Sequence, residues 1–578
     1  MTRVTARVRR AGATAGVLLL TTAFPLLLLA PVQSQFAIDW TNSWWMAGYI
    51  GEYLKLYHHF PTAFQTTQFM GLAYPTLYGM QLYRIAGALS AIAGPDLGIR
   101  IVACGAALFA VGLVYRATRR LGGSRPLGIL AALTVSCSTY ALTNLYDRSD
   151  LAEYVAVELL TGALAALFAT FTANDLRERW VYRLTIAAAW ILILGSHVIS
   201  EVFGGIFFTA VVAVLLLRDH RRPVLVTIGC TIAGMSAGAL WQALAFWQLH
   251  GLLALPTGLT FFPDSIDSPL ERFAPIPFDI RMLLPAGPVS TPYLEAPLDY
   301  GFLTLTVAAL FFARSRIVLA MLSIAAVFLI FSLSRDAWHF VPPFFQLAQF
   351  AYRLTSYINL SLLAAFFAML WRRPQAMARV ERTPVPWVIA TSVVLVCLVK
   401  MTHIAAIEHP VPAPAPAPQN VATYESLPAT FYGPYAYIVD VSKASSASPP
   451  HVAPPPVPMQ AIGAPATQSV VADGSGFVYT RILAFPWNVI VVDGKPIPDD
   501  QKIVWKDQAT YGFRMRPGSR HDMSSFLELP RAIAGGMRLA EIALALDLAV
   551  VAALIAWLIL RPEYKAQAEA FAGTAVPS

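Results

Sequence analysis

Apolar runs of about twenty residues recur along this chain, and they leave few folds open to it. Runs of spanning length begin near Ala11, Gly98, Pro126, Leu151, Leu184, Val202, Pro223, Tyr300, Ile317, Leu354, Pro386 and Met537. A helix needs about 20 apolar residues to cross the hydrocarbon core of a bilayer. Only 13% of the 578 residues are charged while 57% are hydrophobic, too little charge to clothe a soluble protein of this size. The expected fold class is therefore mainly α, a polytopic membrane protein of about 12 spans.

Its net charge of +8 sits in short basic clusters beside the apolar runs: Arg3–Arg10, Arg116–Arg125, Arg177–Arg183, Arg218–Arg222, Arg314–Arg316 and Arg372–Arg382. That is the distribution of cytoplasmic loops, not of a nucleic-acid surface. One further run, Tyr74–Ala93, is ambiguous. Counting it as a span would invert every later basic cluster, so it is expected to lie in the interface or to be re-entrant. Its tyrosines Tyr74, Tyr78 and Tyr83 suit that position. The run Ala11–Pro31 is long for a signal peptide and reads as an uncleaved first span. Both termini then face the cytoplasm. The four cysteines all lie in apolar runs without CxxC spacing and read as small buried hydrophobes.

These choices divide the chain into a membrane domain at 1–403, with an outer loop and juxtamembrane helices at 35–93. A Pro-rich linker and β-rich outer domain follow at 404–535, then a last span at 536–561 and a tail at 562–578. Within the outer segment, Pro410–Pro418 and Pro449–Pro458 read as extended spacers. Strand-like runs occur at Thr430–Val441, Gly476–Leu483, Trp487–Val492, Lys502–Lys506 and Tyr511–Met515, with Asp493-Gly494 as a hairpin turn.

Against this apolar background the segment Tyr146-Asp147-Arg148-Ser149-Asp150-Leu151-Ala152-Glu153 stands out, with four ionisable side chains inside seven residues between two long runs. Charge near the bilayer survives at an edge, in a cavity or in a working site. Other polar residues fall on the same expected outer side: Asp39 after the first run, His197 and Glu201 at a turn, His339, and Gln349 with Arg353. Each has a plain structural alternative. Asp39 can be a solvated loop acid, Arg148 a clasp on Asp147, His197 a satisfied core histidine, and Arg353 an interfacial anchor. The functional reading takes Asp39 as a general base, with Asp147, Asp150 and Glu153 beside it. Arg148 and Arg353 would hold a phosphate, and His197, Glu201, His339 and Gln349 would complete a substrate site. Carboxylates also suit a divalent metal such as Mg²⁺ or Mn²⁺, though no spacing demands one.

The arrangement resembles the GT-C class of integral membrane glycosyltransferases, in which an acid on the first outer loop serves catalysis and the donor is usually a polyprenyl-phosphate sugar. Asp39 matches that acid, and Gly71–Pro75, Leu77–Gly94 and Arg100 resemble the juxtamembrane helices leading to the second span. A narrower resemblance is to bacterial membrane proteins labelled as related to 6-pyruvoyl-tetrahydropterin synthase. It rests on Arg148-Ser-Asp-Leu-Ala-Glu153, Ser196-His197-Val-Ile-Ser200, Gln349-Phe350-Ala-Tyr-Arg353 and Phe485-Pro-Trp487…Val492-Asp493-Gly494. This chain departs from that pattern at Ser149-Asp150, where Gly-Ala is usual. It has no histidine cluster to make a pterin-synthase zinc site. The resemblance implies a GT-C-like architecture in a bacterial inner membrane. It also implies transfer of a sugar from a polyprenyl-phosphate-type lipid donor to an envelope acceptor on the outer face. A lipid-linked glycan flippase and a non-catalytic envelope scaffold remain as alternatives.

Overall fold

The computed structural model describes residues 2–26, 38–61, 80–147, 150–173, 175–217, 221–249, 301, 307, 310, 315–334, 336–342, 345, 351–407, 467–485, 487–505, 510–528 and 531–560. These residues form a helical bundle and a small β region ahead of the last helix. Eleven of the twelve expected runs coincide with a helix, from Thr2–Leu26 to Arg531–Leu560; most of the run at Tyr300 lies outside the described residues. Four segments among the described residues are long and apolar enough to cross a membrane: Pro95–Arg120, Arg125–Tyr146, Leu151–Thr170 and Val198–Leu216. The protein is accordingly an integral membrane protein, and the total of twelve spans goes beyond these four.

Leu151–Thr170 occupies the centre, because it is apolar around its whole circumference and has no face for solvent or lipid. It packs against Pro95–Arg120, Leu176–Ile193, Val198–Leu216 and Thr355–Arg372. Its 20 residues separate two chemically different ends of the bundle by about 30 Å. At its C-terminal end, Phe171 stacks on Trp371 beside Arg372. The basic clusters gather at this end: Arg116 and Arg120 both pair with Glu178, which follows the N-cap Asp175 of Leu176–Ile193, and Ser124 N donates to Glu381. At its N-terminal end lie Asp150, Glu153, His197 and Arg353.

The described part of the ambiguous run forms the helix Met80–Ala93, whose 14 residues reach about 21 Å. It is stitched to the bundle from two sides. The carbonyl of Gly195 accepts from Gln81 N at 2.8 Å and Leu82 N at 3.2 Å, so the turn before His197 caps this helix. Gln81 Nε2 donates to Ala540 O, and buried Arg84 pairs with Glu541 at 3.5 Å, which brings in the last helix. The approach at Gly195 is close: a Cβ there would lie 2.0 Å from Gln81 Cγ.

Seven antiparallel strands make two sheets, β1 (Gln468–Val471), β7 (Arg520–Leu527), β3 (Asn488–Val492) and β4 (Lys495–Pro496) in one, β2 (Phe477–Leu483), β6 (Thr510–Arg514) and β5 (Ile503–Trp505) in the other. Val470, Val478, Ile490, Val492, Phe513 and Met523 close the space between them. The Asp493-Gly494 turn joins β3 to β4 with φ of 49° and 77°, the doubly positive pattern of a two-residue type I′ hairpin, in the register Val492↔Lys495. The expected strand at Thr430–Val441 lies outside the described residues.

That turn is clasped to β7 by an Asp-His-Ser chain. Asp493 Oδ2 is 2.6 Å from His521 Nδ1, and His521 Nε2 is 2.6 Å from Ser519 Oγ. The order is that of a hydrolytic triad, but the Ser519 hydroxyl donates to Arg516 O at 2.5 Å and must accept from the ring. A histidine that donates to the hydroxyl cannot deprotonate it, so the chain is a structural clasp.

Two outcomes follow from this packing. Gly195→Ala forces Gln81 aside and is expected to cost about 1–3 kcal/mol, the usual range for overpacking. Thermal unfolding of the full-length protein checks it, and an unchanged midpoint contradicts the close approach. In the β region, the His521 hydrogen bond and the Asp522 backbone N–H hold the Asp493 carboxyl below its ordinary 3.8. A depressed carboxylate pKa means the clasp contributes above the ordinary value and is lost only as pH falls through the lower folded value. Amide protection at Asp493 and Asp522, corrected for intrinsic exchange, should persist at pH 3.8 and collapse below it. Asp493→Asn should abolish that pH dependence.

Candidate functional site

The site is built where three helices begin. Asp150 is the N-cap of Leu151–Thr170: its Oδ1 accepts from Glu153 N at 2.9 Å, and its own N–H donates to Asn144 O at 2.8 Å. The chain enters that cap through a π-helical turn, Thr143–Asp147, which directs Asn144 back toward the helix it precedes. Glu153 falls at the third helical position, one turn in. Its Oε1 accepts from Asn144 Nδ2 at 3.1 Å and from the Tyr140 hydroxyl at 3.4 Å.

Arg353 approaches from the other half of the chain. It lies in the short 3₁₀ turn Ala351–Leu354 that leads into Thr355–Arg372. Its Nε is 3.1 Å from Glu153 Oε2, and its Nη2 is 3.4 Å from Asp150 Oδ2. All three side chains are at most 8% exposed. Arg353 thus lies across the two carboxylates as a shared counter-ion.

His197 is the N-cap of Val198–Leu216. Its Nδ1 faces Ser200 N at 3.3 Å and Ser200 Oγ at 2.9 Å. A nitrogen that accepts a backbone N–H carries no proton, so the neutral ring is assigned its proton on Nε2. Nε2 points at Asp150 Oδ2 across 3.8 Å, beyond hydrogen-bond range but within strong electrostatic reach. Each of the helices Leu151–Thr170, Val198–Leu216 and Thr355–Arg372 presents its N-terminus here. Three helix dipoles therefore add partial positive charge to Arg353 and favour anions at this end.

Asp150, Glu153 and His197 offer ligand atoms within 4.8 Å of one another, close enough to invite a metal. The donor set does not fit one in this arrangement. A ligating imidazole donates its other N–H outward, whereas His197 Nδ1 accepts, which leaves the proton on the nitrogen that would have to bind. The carboxylate charge is met by Arg353.

Of the residues singled out in the sequence, Asp150, Glu153, His197 and Arg353 come together. Glu201 is half-buried in the first turn after His197, while His339 is exposed in the 3₁₀ turn Asp336–Phe340. Asp39 is the second residue of the helix Ile38–Tyr57, and Asp147 ends the π turn; the side chains of both lie outside the described residues, as do Arg148 and Gln349 entirely. Sequence reasoning missed Tyr140 and Asn144, and it named Ser200 only within the motif Ser196–Ser200. Tyr140 and Asn144 carry a readable signal, because the second half of the run Pro126–Leu145 turns polar from Thr134 onward.

No family model and no curated protein matches the chain. Solved structures similar to it include the following two. One is the oligosaccharyltransferase of Archaeoglobus fulgidus in the apo form, 13% identical with a TM-score of 0.41 over 69% of this chain and 56% of that one. The other is ArnT from Cupriavidus metallidurans in the apo state, 13% identical with a TM-score of 0.38 over 68% of this chain and 76% of that one. The chain thus spans little more than half the length of the oligosaccharyltransferase. Likeness at this level is too low to assign an activity.

Removing Arg353 should leave two carboxylates buried without their shared counter-ion. Arg353→Met is expected to cost about 3–5 kcal/mol, the range for breaking a buried ion pair from one side. Asp150→Asn keeps a cap of equal quality and should cost distinctly less. The double variant should regain part of the Arg353→Met loss. Thermal unfolding of the purified chain measures all three, and an Arg353→Met protein as stable as the wild type would show that the carboxylates do not need it.

Proposed function

We propose that the protein is a membrane glycosyltransferase of GT-C type. It would move a sugar from a polyprenyl-phosphate-type lipid donor to an envelope acceptor on the outer face of a bacterial inner membrane, with both termini cytoplasmic and the β region outside. One observation carries this reading: two carboxylates, an arginine and a histidine are buried together where three helices begin, at the end of the bundle opposite the basic clusters. Converging helix N-termini and a guanidinium favour a phosphate head group delivered along the bilayer. Carboxylates favour the positive charge that develops on a sugar ring as its glycosidic bond breaks. A lipid-phosphate sugar presents both charges to one site.

In this reading Asp39 is the general base. Its helix packs on Met80–Ala93 and Pro95–Arg120 and also touches Leu151–Thr170, the helix that Asp150 caps. Asp150 and Glu153 are the electrostatic partners, joined by Asp147. Arg353 and Arg148 serve the phosphate; Arg353 can turn from Asp150 to a bound anion while keeping Glu153. His197 positions Asp150, and Glu201, His339 and Gln349 extend the site toward the acceptor.

A second reading, a transporter for a lipid-linked glycan, draws on Glu158 and Asp547, acids buried at depth rather than at the edge. Chemistry separates the two. In membrane vesicles supplied with a synthetic polyprenyl-phosphate sugar, a transferase releases polyprenyl phosphate, whereas a transporter leaves the donor intact. Asp39→Asn should lower release by about 10²–10⁴-fold, the contribution of a positioned base, at unchanged protein level. Normal turnover by that variant overturns the assignment of Asp39, and an intact donor with wild-type protein across a panel of acceptors overturns the transferase reading.

A further inference from the structure

About one and a half turns inward from Glu153 the bundle contains a cavity of about 30 Å³. Its polar lining is Ser138, Tyr140, Glu158, Thr161, Ser356 and Asn359, and the rest is aliphatic. Two of these groups are conspicuous. Glu158 is 4% exposed, and its Oε2 has no hydrogen-bond partner among the described residues; Ser356 is 3% exposed, and its Oγ has none either. Glu158 belongs to the spanning helix Leu151–Thr170 and Ser356 to the first turn of Thr355–Arg372, and both line the same cavity. A carboxylate in such surroundings without a counter-charge is too costly to be retained as a packing residue, so a cation or a proton must neutralise it.

The cavity selects the ligand by size, charge and donor type. A single water needs about 10–15 Å³ by the same measure, so 30 Å³ admits an ion with a water and excludes a sugar, a phosphate or a lipid head group. No arginine, lysine or histidine lines it, so the charge to be neutralised is a single negative one. The donors are all oxygens, with no imidazole or thiolate, a set that does not select the nitrogen- and sulfur-seeking transition metals. Mg²⁺ and Ca²⁺ gather several carboxylates or keep most of their waters, and one carboxylate in 30 Å³ offers neither. The Thr161 hydroxyl donates to Val157 O at 2.8 Å, and Ser138 Oγ accepts only a long 3.4 Å bond from Ala141 N, so both oxygens keep lone pairs.

We propose that the Glu158 cavity binds one small monovalent cation of the Na⁺ class, held by the Glu158 carboxylate and the hydroxyl oxygens of Ser356, Thr161 and Ser138. The site is separate from the Asp150–Arg353 cluster but communicates with it, because Tyr140 lines the cavity and donates to Glu153. A cation here draws electron density from the Tyr140 oxygen and strengthens its hydrogen bond to Glu153. The proposal does not depend on glycosyl transfer.

The test uses the full-length protein in detergent. ²²Na⁺ retention is measured against N-methylglucamine chloride at constant ionic strength, and thermal unfolding is followed by tryptophan fluorescence over the same titration. The wild type should retain one Na⁺ per chain, and its unfolding temperature should rise with log[Na⁺], as for any ligand of the native state alone. Glu158→Gln, which keeps shape, should lose retention and the Na⁺ dependence together. Ser356→Ala should weaken Na⁺ by about 10-fold, since it removes one of only a few ligands, and Asp547→Asn should leave it unchanged. If Glu158→Gln fails to fold, the wild-type stoichiometry and Ser356→Ala decide. Equal behaviour in Na⁺ and N-methylglucamine overturns the proposal. A stability that follows pH but not Na⁺ also overturns it, and identifies Glu158 as a protonated acid hydrogen-bonded to water.

Discussion

The guanidinium of Arg353 lies across Asp150 and Glu153, and the rest of the site depends on that one contact. Two acids one helical turn apart repel each other inside an apolar bundle, where the field between charges is poorly screened. The shared cation turns repulsion into a three-body clasp. It also joins residues 203 positions apart in the chain, tying the N-terminal helices to Thr355–Arg372. The alternative, neutral acids, would release Arg353 and with it the entrance to the helix it precedes.

This clasp costs less than its burial suggests, because the helices around it are turned to help. Asp150 spends one oxygen on capping its own helix and the other on Arg353. His197 likewise caps its own helix with Nδ1, which leaves Nε2–H facing the acid. Capping residues in soluble proteins lie at the surface; here two caps are inside and double as site residues. The same use of helix ends explains why the basic end of the bundle is quiet. Glu178, under the N-cap Asp175, gathers Arg116 and Arg120 there.

Most of the helical framework was legible in the sequence because apolar length is a one-dimensional property. The runs at Leu151, Val202 and Pro386 became helices at nearly their expected bounds. The reading of Tyr74–Ala93 as interfacial or re-entrant rested on charge parity alone; residues 80–93 of that run form the helix Met80–Ala93, and residues 74–79 lie outside the described residues. The strands β1 and β7 were not foreseen. Arg520–Leu527 alternates mostly polar residues on both faces, with Met523 its one residue in the β core, so periodicity had nothing apolar to register. In the site, Asp150, Glu153, His197 and Arg353 were legible as charges out of place. Their roles as caps were not, since Asp-Leu-Ala-Glu and His-Val-Ile-Ser were read only as candidate chemistry and as parts of a family resemblance.

Glu158 shows where such reading ends. In sequence it is one acid among valine, leucine and threonine, without the neighbouring charges that made Asp147–Glu153 conspicuous. Its significance is three-dimensional, because Ser356 and Asn359 reach the same cavity from a helix two hundred residues away. An edge acid finds water, a head group or an arginine on its own side of the membrane. An acid deeper in the bundle finds only what the neighbouring helices bring. Here they bring hydroxyls and an amide but no positive charge, so the compensation must come from an ion small enough to fit or from a proton. A site arranged in this way couples the occupancy of the bundle interior, through Tyr140, to the hydrogen bonding of the carboxylate that Arg353 holds.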